Sequence, residues 1–130
     1  MERPPIADEA SYVAGWRRRL AGERRARRRA AASARTLAGR CATLLGERFG
    51  ASRVYLFGSL AAGSSRPFGP RSDLDIAVEG LPDEAYFRAL GALAAVTADA
   101  MPIDLVPLET APASLRHRVV ERGELLYERA

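Results

Sequence analysis

The segment from Val54 to Val78, VYLFGSLAAGSSRPFGPRSDLDIAV, constrains the fold more than any other part of the chain. Two apolar runs typical of strands flank a loop of glycine, serine and proline, and acidic residues stand inside the second run. Asp73 and Asp75 are two residues apart, so their side chains point to the same face of a strand. Two carboxylates in that arrangement repel each other unless a cation lies between them. The segment therefore predicts a β-sheet that carries a cation-binding site.

The chain after residue 53 alternates between strand and helix patterns. Strands are predicted at RVYLF (53–57), LDIAV (74–78) and PIDLVPL (102–108), with ELLYE (124–128) as a possible last strand. Helices are predicted at DEAYFRALGALAAVTA (83–98), with Tyr86, Leu90, Leu93 and Ala94 on its inner face, and at APASLRHRVVERG (111–123). This order indicates an α/β (α+β) fold, in which helices pack on a small mixed sheet.

The beginning of the chain differs in charge from the rest. Residues 1–53 hold 13 Arg against five acidic residues, whereas residues 54–130 hold seven Arg against 11 acidic residues. The basic part is predicted as one long Arg-rich helix from about Ser11 to Phe49. Its apolar stripe comprises Tyr12, Trp16, Ala30, Ala34, Leu37, Cys41 and Leu45, and the opposite arc comprises Arg17, Arg18, Arg24, Arg25, Arg28, Arg29 and Arg35. Such a helix is longer than a small domain is wide, so we expect its first half to project, or to fold back near Gly15 or Gly22.

We divide the chain into an Arg-rich helical extension, residues 1–36, and an α/β domain, residues 37–130. The arginine arc is either a solvated charged face or an interaction surface for nucleic acid or an acidic protein. Trp16 and Tyr12, followed by small alanines, suit a helix that another helix covers, so we expect a protein partner. Nucleic acid is the less favoured partner of this helix.

Composition excludes several classes of protein. At 130 residues the chain has the length of one domain, and it has neither a membrane-spanning apolar run nor an apolar signal segment at Met1. We therefore expect a cytoplasmic protein without membrane contact. The single cysteine, Cys41, allows neither an internal disulfide nor a cysteine zinc site and is interpreted as a core residue. His117, which lies between two arginines, is interpreted as a surface residue.

A third carboxylate joins the two in the Asp-x-Asp strand. Asp104 lies in the middle of the third predicted strand, which we expect to neighbour the second. Mg²⁺ is held by one or two carboxylates together with substrate phosphate oxygens, and pairs of such ions assist displacement at phosphorus. Gly58 and Ser59 end the first strand at a predicted short helical segment, LAAG, whose N-terminal N–H groups suit a phosphate. These residues together predict a metal–phosphate site.

The combination GS…SDLDIAV…PIDLV resembles the minimal nucleotidyltransferases (MNT) of the superfamily that includes DNA polymerase β. The resemblance covers about Thr43 to Tyr127. It implies that Gly58 and Ser59 bind the triphosphate of ATP and that Asp73, Asp75 and Asp104 bind Mg²⁺ and carry the catalysis. It also implies a HEPN-type RNase toxin as partner in a hetero-oligomer, with this chain as the antitoxin that transfers AMP to a toxin hydroxyl, in some members a tyrosine.

Two features of this sequence differ from the family pattern. Thirteen residues, Leu60 to Ser72, separate Ser59 from Asp73, with PFGP (67–70) as the expected insertion. Arginines are absent directly after the Gly-Ser, which leaves Arg66 and Arg71 as the nearest cations for the triphosphate. Two hypotheses follow: a Mg²⁺-dependent protein adenylyltransferase, or a catalytically weak antitoxin that neutralises its partner by forming a complex with it.

Overall fold

The computed structural model describes residues 6–61, 68–69 and 72–130, with side chains from residue 9 onward. The elements follow in the order α1 (Ile6–Phe49), β1 (Arg53–Phe57), β2 (Leu74–Glu79), α2 (Tyr86–Thr97), β3 (Ile103–Pro107), α3 (Ala113–Arg122) and β4 (Glu124–Glu128). Single 3₁₀ turns occupy Gly58–Leu60, Asp83–Ala85 and Leu108–Thr110. The helices and strands predicted from the sequence are thereby confirmed, with end shifts of a few residues.

The four strands form one mixed sheet in the order β3-β2-β1-β4. β1 is antiparallel to both β2 and β4, whereas β2 and β3 run parallel. β2 and β3 are connected through α2, as parallel neighbours require a crossover. The prediction that the third strand neighbours the second is confirmed, and so is the α/β class with a mixed sheet.

The larger core lies between one face of this sheet and the helices α1 and α2. Leu74, Ile76 and Val78 of β2 point to that face, because alternate residues of a strand share a face. α2 contributes Ala89 and Leu93 to the same cluster. Of the residues predicted on the inner face of α2, Leu93 is buried, while Tyr86, Leu90 and Ala94 are partly exposed.

A smaller cluster occupies the opposite face of the sheet under α3. Tyr55 of β1 and Ala77 of β2 pack there against Val119 of α3 and Leu108. His117 lies on the outer side of α3, with 72% of its side chain exposed, and pairs with Glu121. The interpretation of His117 as a surface residue agrees with this position.

α1 is an unbroken helix of 44 residues, so it is about 66 Å long. It does not fold back at Gly15 or Gly22, and its first half projects. Its first buried residue is Ala34, among the side chains that the structure describes. None of the described helices is both long and apolar enough to cross a membrane.

The predicted apolar stripe of α1 is buried only where the helix packs on the sheet. Ala34, Cys41 and Leu45 are fully buried. Burial raises the pKa of the Cys41 thiol to about 11, which agrees with its interpretation as a core residue. Tyr12 and Trp16, by contrast, are 73% and 48% exposed. Since α1 continues through Leu37 without a break, the division between 1–36 and 37–130 stays a prediction.

Candidate active site

β1 ends at a tight turn whose first residue is a glycine in the left-handed region. Gly58 has φ +76°, and the single 3₁₀ turn Gly58–Leu60 is closed by the Ala61 N–H, which donates to the Gly58 carbonyl oxygen at 3.2 Å. The sequence predicted a helical segment that begins after Ser59. The described turn begins two residues earlier, at Gly58, and aligns only a few peptide dipoles. An anion bound at this turn would be held by backbone N–H groups and the Ser59 hydroxyl more than by a helix dipole.

The glycine turn lies directly against one of the predicted carboxylates. Phe57, the last residue of β1, is the register partner of Asp75 on β2. A Cβ atom added at Gly58 would overlap the Asp75 carboxylate. The absence of a side chain at Gly58 thus allows a backbone turn and an acidic side chain to meet at one point of the sheet.

Asp75 and Asp104 are neighbours on adjacent parallel strands. Their Cα atoms are register partners in the β2–β3 ladder. Their chain neighbours Leu74, Ile76 and Leu105 belong to the larger core, so both carboxylates point to the opposite face. Asp75 is half-buried and Asp104 is exposed. The sheet therefore brings two of the three predicted carboxylates side by side.

Asp73 has a different environment. It stands one residue before β2 begins, and it is exposed. Within the described residues, no group of three or more His, Cys, Asp or Glu side chains is placed to hold a metal ion. The joint role of Asp73, Asp75 and Asp104 in metal binding stays a prediction.

The chemistry of the pair Asp75 and Asp104 nevertheless suits Mg²⁺. Carboxylate oxygens are the ligands this ion prefers, and it is commonly bound through one or two carboxylates together with phosphate oxygens of the substrate. α3 packs over Tyr55 and Ala77, further along the same face, and Asp104 remains open to solvent. A phosphate-bearing substrate thus has access to Asp104 from outside the domain.

The cations predicted to contact the triphosphate, Arg66 and Arg71, lie outside the described residues. Another arginine, Arg35 of α1, does reach the glycine turn. Its guanidinium donates to the Leu60 carbonyl at 2.8 Å and to both carboxylate oxygens of Glu124 at 2.7 and 2.6 Å. Arg35 joins the turn that follows β1 to the first residue of β4.

The sequence placed Arg35 on the arc of α1 opposite the apolar stripe, and its side chain is 40% exposed there. Its contacts with Leu60 and Glu124 were not predicted. One indication that Arg35 contacts the domain was present in the sequence, because Arg35 directly follows Ala34, the first buried residue among the described side chains of the helix. A charged residue in the packed part of a helix has nearby groups to bind. The identity of those groups, 25 and 89 residues away, follows from the tertiary fold alone.

A second hydrogen bond positions the strand that carries Asp104. The Tyr86 hydroxyl donates to the carbonyl oxygen of Leu105 at 2.8 Å. β3 is an edge strand of the described sheet, in which β2 is its one neighbour. The hydrogen bond from α2 restrains β3 at the residue next to Asp104.

Comparison with known proteins gives a family match to most of the chain. Residues 41–130 match the model of the family described as polymerase beta, nucleotidyltransferase. No protein with curated annotation matches the chain significantly. The matched range contains Gly58, Ser59 and all three carboxylates, and it leaves out α1 before Cys41.

Solved structures agree with the family match. A structure described as a toxin–antitoxin with AMP-PNP is 29% identical, with a TM-score of 0.55, over 70% of this chain and 73% of that one. A tri-AMPylated Shewanella oneidensis HEPN toxin in complex with MNT antitoxin gives 28% identity, a TM-score of 0.54, and coverage of 74% and 73%. A mutant of the MntA toxin–antitoxin complex is 30% identical, with a TM-score of 0.53, over 67% and 69%.

Proposed function

This chain belongs to the polymerase-beta nucleotidyltransferase family, and we propose that it is an antitoxin that transfers AMP from ATP to a tyrosine hydroxyl of a HEPN toxin. The similar structures include one with AMP-PNP, an analogue of ATP, and one in which a HEPN toxin carries three AMP groups in complex with an MNT antitoxin. Both support ATP as the nucleotide and a HEPN toxin as the acceptor.

One observation carries the proposal for the site. The Gly58 turn touches Asp75, and Asp75 stands in register with Asp104 on the neighbouring strand. Donors for a phosphate and carboxylates for a cation therefore meet at the same edge of the sheet. This is the combination that transfer of a nucleotide requires, since the substrate is a complex of triphosphate and metal.

In the proposed reaction the acceptor oxygen attacks the α-phosphorus of ATP. A new O–P bond forms while the bond from the α-phosphorus to the bridging oxygen breaks, and pyrophosphate leaves with the electron pair. Asp104, the more exposed carboxylate, accepts the proton of the acceptor hydroxyl. The N–H groups of the Gly58 turn and the Ser59 hydroxyl hold phosphate oxygens in place, as preorganised donors do in other phosphoryl transfers.

Asp75 and Asp104 would hold Mg²⁺, with Asp73 as a third ligand. When bound, the ion supplies positive charge that stabilises the phosphate oxygens during the displacement. Arg66 and Arg71, which follow Ser59 in the sequence and precede Asp73, are the arginines that we assign to the outer phosphates of ATP.

The proposal is tested by incubating the protein with its purified HEPN partner, ATP and Mg²⁺, and measuring AMP addition by intact mass and peptide mapping. Asp75→Asn and Asp104→Asn should each reduce the rate by at least about 100-fold, because a metal ligand contributes several kcal/mol to the transition state. Asp83→Asn, an exposed aspartate in the turn before α2, is the matched control and should react like the wild type.

Two outcomes would contradict the proposal. Neutralisation of the toxin without ATP, unchanged in Asp75→Asn, would identify the chain as the complex-forming antitoxin of the alternative hypothesis. AMP found on a serine or threonine of the toxin would still support AMP transfer, but it would show that the acceptor is not a tyrosine.

A further inference from the structure

The projecting half of α1 carries an unusual density of positive charge. Between Arg17 and Arg29 the chain has eight arginines and a single acidic residue, Glu23, and all of them are exposed. The ion pairs among the described residues involve Arg35, Arg53 and His117, not this segment. We call residues 17–29 the arginine segment. Among the residues that the structure describes, no acidic side chain of the domain forms an ion pair with it.

Three of these arginines also form a pocket. Arg24, Arg27 and Arg28 line a shallow pocket of about 300 Å³, largely open to solvent, together with Ala31 and Phe68. Phe68 comes from the loop before β2 and is half-buried against the larger core. Guanidinium groups beside an aromatic ring provide partners for a phosphate and for the flat face of a base. The volume is at the lower end of those of small-ligand sites, which suits one nucleotide unit.

The length of the arginine segment favours a polymer over a single nucleotide. Twelve residue steps along a helix extend over about 18 Å, which is longer than one pocket. Arginines continue along the helix before the pocket, at Arg17–Arg19, and Arg25 and Arg29 stand beside the three that line it. A chain of phosphates would follow this distribution of charge.

Other occupants are less compatible with the surface. A helix of a partner protein, expected along the apolar stripe, would meet Glu23 and Arg27, which interrupt that stripe between Leu20 and Ala31. The guanidinium of Arg19 lies 4.7 Å from the centroid of the Trp16 ring and covers part of this aromatic surface. A second copy of the chain would bring like charges together, which is unfavourable.

We propose that the arginine segment binds single-stranded nucleic acid, with one nucleotide in the pocket formed by Arg24, Arg27, Arg28 and Phe68. The guanidinium groups bind phosphates, and the Phe68 ring stacks on a base. A base in a duplex is already stacked on both sides, so a single strand is the better ligand. This activity is independent of the AMP transfer proposed above, because the pocket contains none of the residues assigned to that reaction.

Binding is measured by fluorescence anisotropy with labelled 20-nucleotide single strands of RNA and DNA and with a duplex of the same length, between about 50 and 200 mM salt. The wild type should bind the single strands more tightly than the duplex, with a steep salt dependence. The variant Arg24→Gln/Arg27→Gln/Arg28→Gln should lose about tenfold or more in affinity and reduce the slope of log K against log salt by about 2. Phe68→Leu, which keeps an apolar side chain against the core, should lose about fivefold.

The matched control is Arg116→Gln/Arg118→Gln/Arg122→Gln, which removes the same charge from exposed positions of α3. Circular dichroism and thermal unfolding verify that each variant is folded. An equal loss of affinity in this control would show a general charge effect and overturn the proposal. Absence of binding in 50 mM salt would also overturn it. Poly-glutamate is also tested as a competitor of the single strands in the same assay. If it bound as tightly as they do, and if Phe68→Leu did not change that affinity, the surface would be assigned to an acidic protein instead.

Discussion

Gly58 shows how the conformation of one residue determines the position of a functional group. Its φ of +76° is readily adopted by glycine and disfavoured for residues with a Cβ atom. The space that a Cβ atom would occupy is filled by the Asp75 carboxylate. Backbone strain and steric overlap therefore act at the same position, and both affect the edge of the sheet where Asp75 and Asp104 meet.

We expect Gly58→Ala to lower the free energy of unfolding by about 1–2 kcal/mol from the left-handed conformation alone. Displacement of Asp75 should in addition reduce AMP transfer well beyond this loss of stability. Gly69→Ala, which also lies between β1 and β2, is the control, since a Cβ atom at Gly69 would meet no atom within 4 Å. Urea unfolding and the AMP-transfer assay measure the two effects. Full transfer activity in folded Gly58→Ala would show that the contact between the turn and Asp75 is not needed.

At the scale of elements, α1 has two functions in one continuous helix. Its second half packs on the sheet, and its first half presents the arginine segment to solvent. Two glycines in the packed half differ in their surroundings. A Cβ atom at Gly46 would overlap the ring of Tyr127 on β4, whereas one at Gly39 would meet nothing within 4 Å. Gly46 thus allows close packing between α1 and β4, and Gly39 has no such role.

The two glycines should respond in opposite directions to the same substitution. Gly39→Ala should stabilise the protein by about 1 kcal/mol, because alanine is the better helix former. Gly46→Ala should destabilise it by about 1–3 kcal/mol despite the same gain in propensity, because the Tyr127 ring must move. Denaturant unfolding of both variants measures the difference. A stabilised Gly46→Ala would mean that α1 and β4 do not pack as closely as described.

At the scale of the whole molecule, the fold requires only part of α1. The apolar cluster between α1, α2 and the sheet begins at Ala31, and the first fully buried side chain is that of Ala34. Residues before Ala31 add charge and length without adding to this core. Stability and nucleic-acid binding should therefore be separable along a single helix.

Two shortened chains test this separation and also the division between 1–36 and 37–130. A chain that begins at Arg29 should unfold within about 1 kcal/mol of the full protein, because it keeps the whole core, and it should lose binding to single strands. A chain that begins at Leu37 lacks Ala34 and Arg35 and should be less stable by about 2 kcal/mol or more. Equal stability of the two shortened chains would support a domain boundary at Leu37.

Local patterns in the sequence were enough to predict the elements. Alternating apolar residues located β1 and β2, and glycines and prolines marked their ends, because strand and turn preferences depend on residues a few positions apart. The helical period identified the stripe that contains Ala34, Cys41 and Leu45. The residue types Gly-Ser and Asp-x-Asp indicated phosphate and metal chemistry without any knowledge of the fold.

Only the tertiary structure decided which of these groups meet. The register of β2 against β3 pairs Asp75 with Asp104, and the antiparallel return of β2 brings Asp75 against Gly58. The partners of Arg35 and the pocket at Phe68 likewise join residues far apart in sequence. Sequence periodicity indicates on which face of its helix or strand a residue lies. It does not indicate which distant residue that side chain contacts. That second property depends on how the sheet and the helices pack as a whole, because each long-range contact is set by all the others.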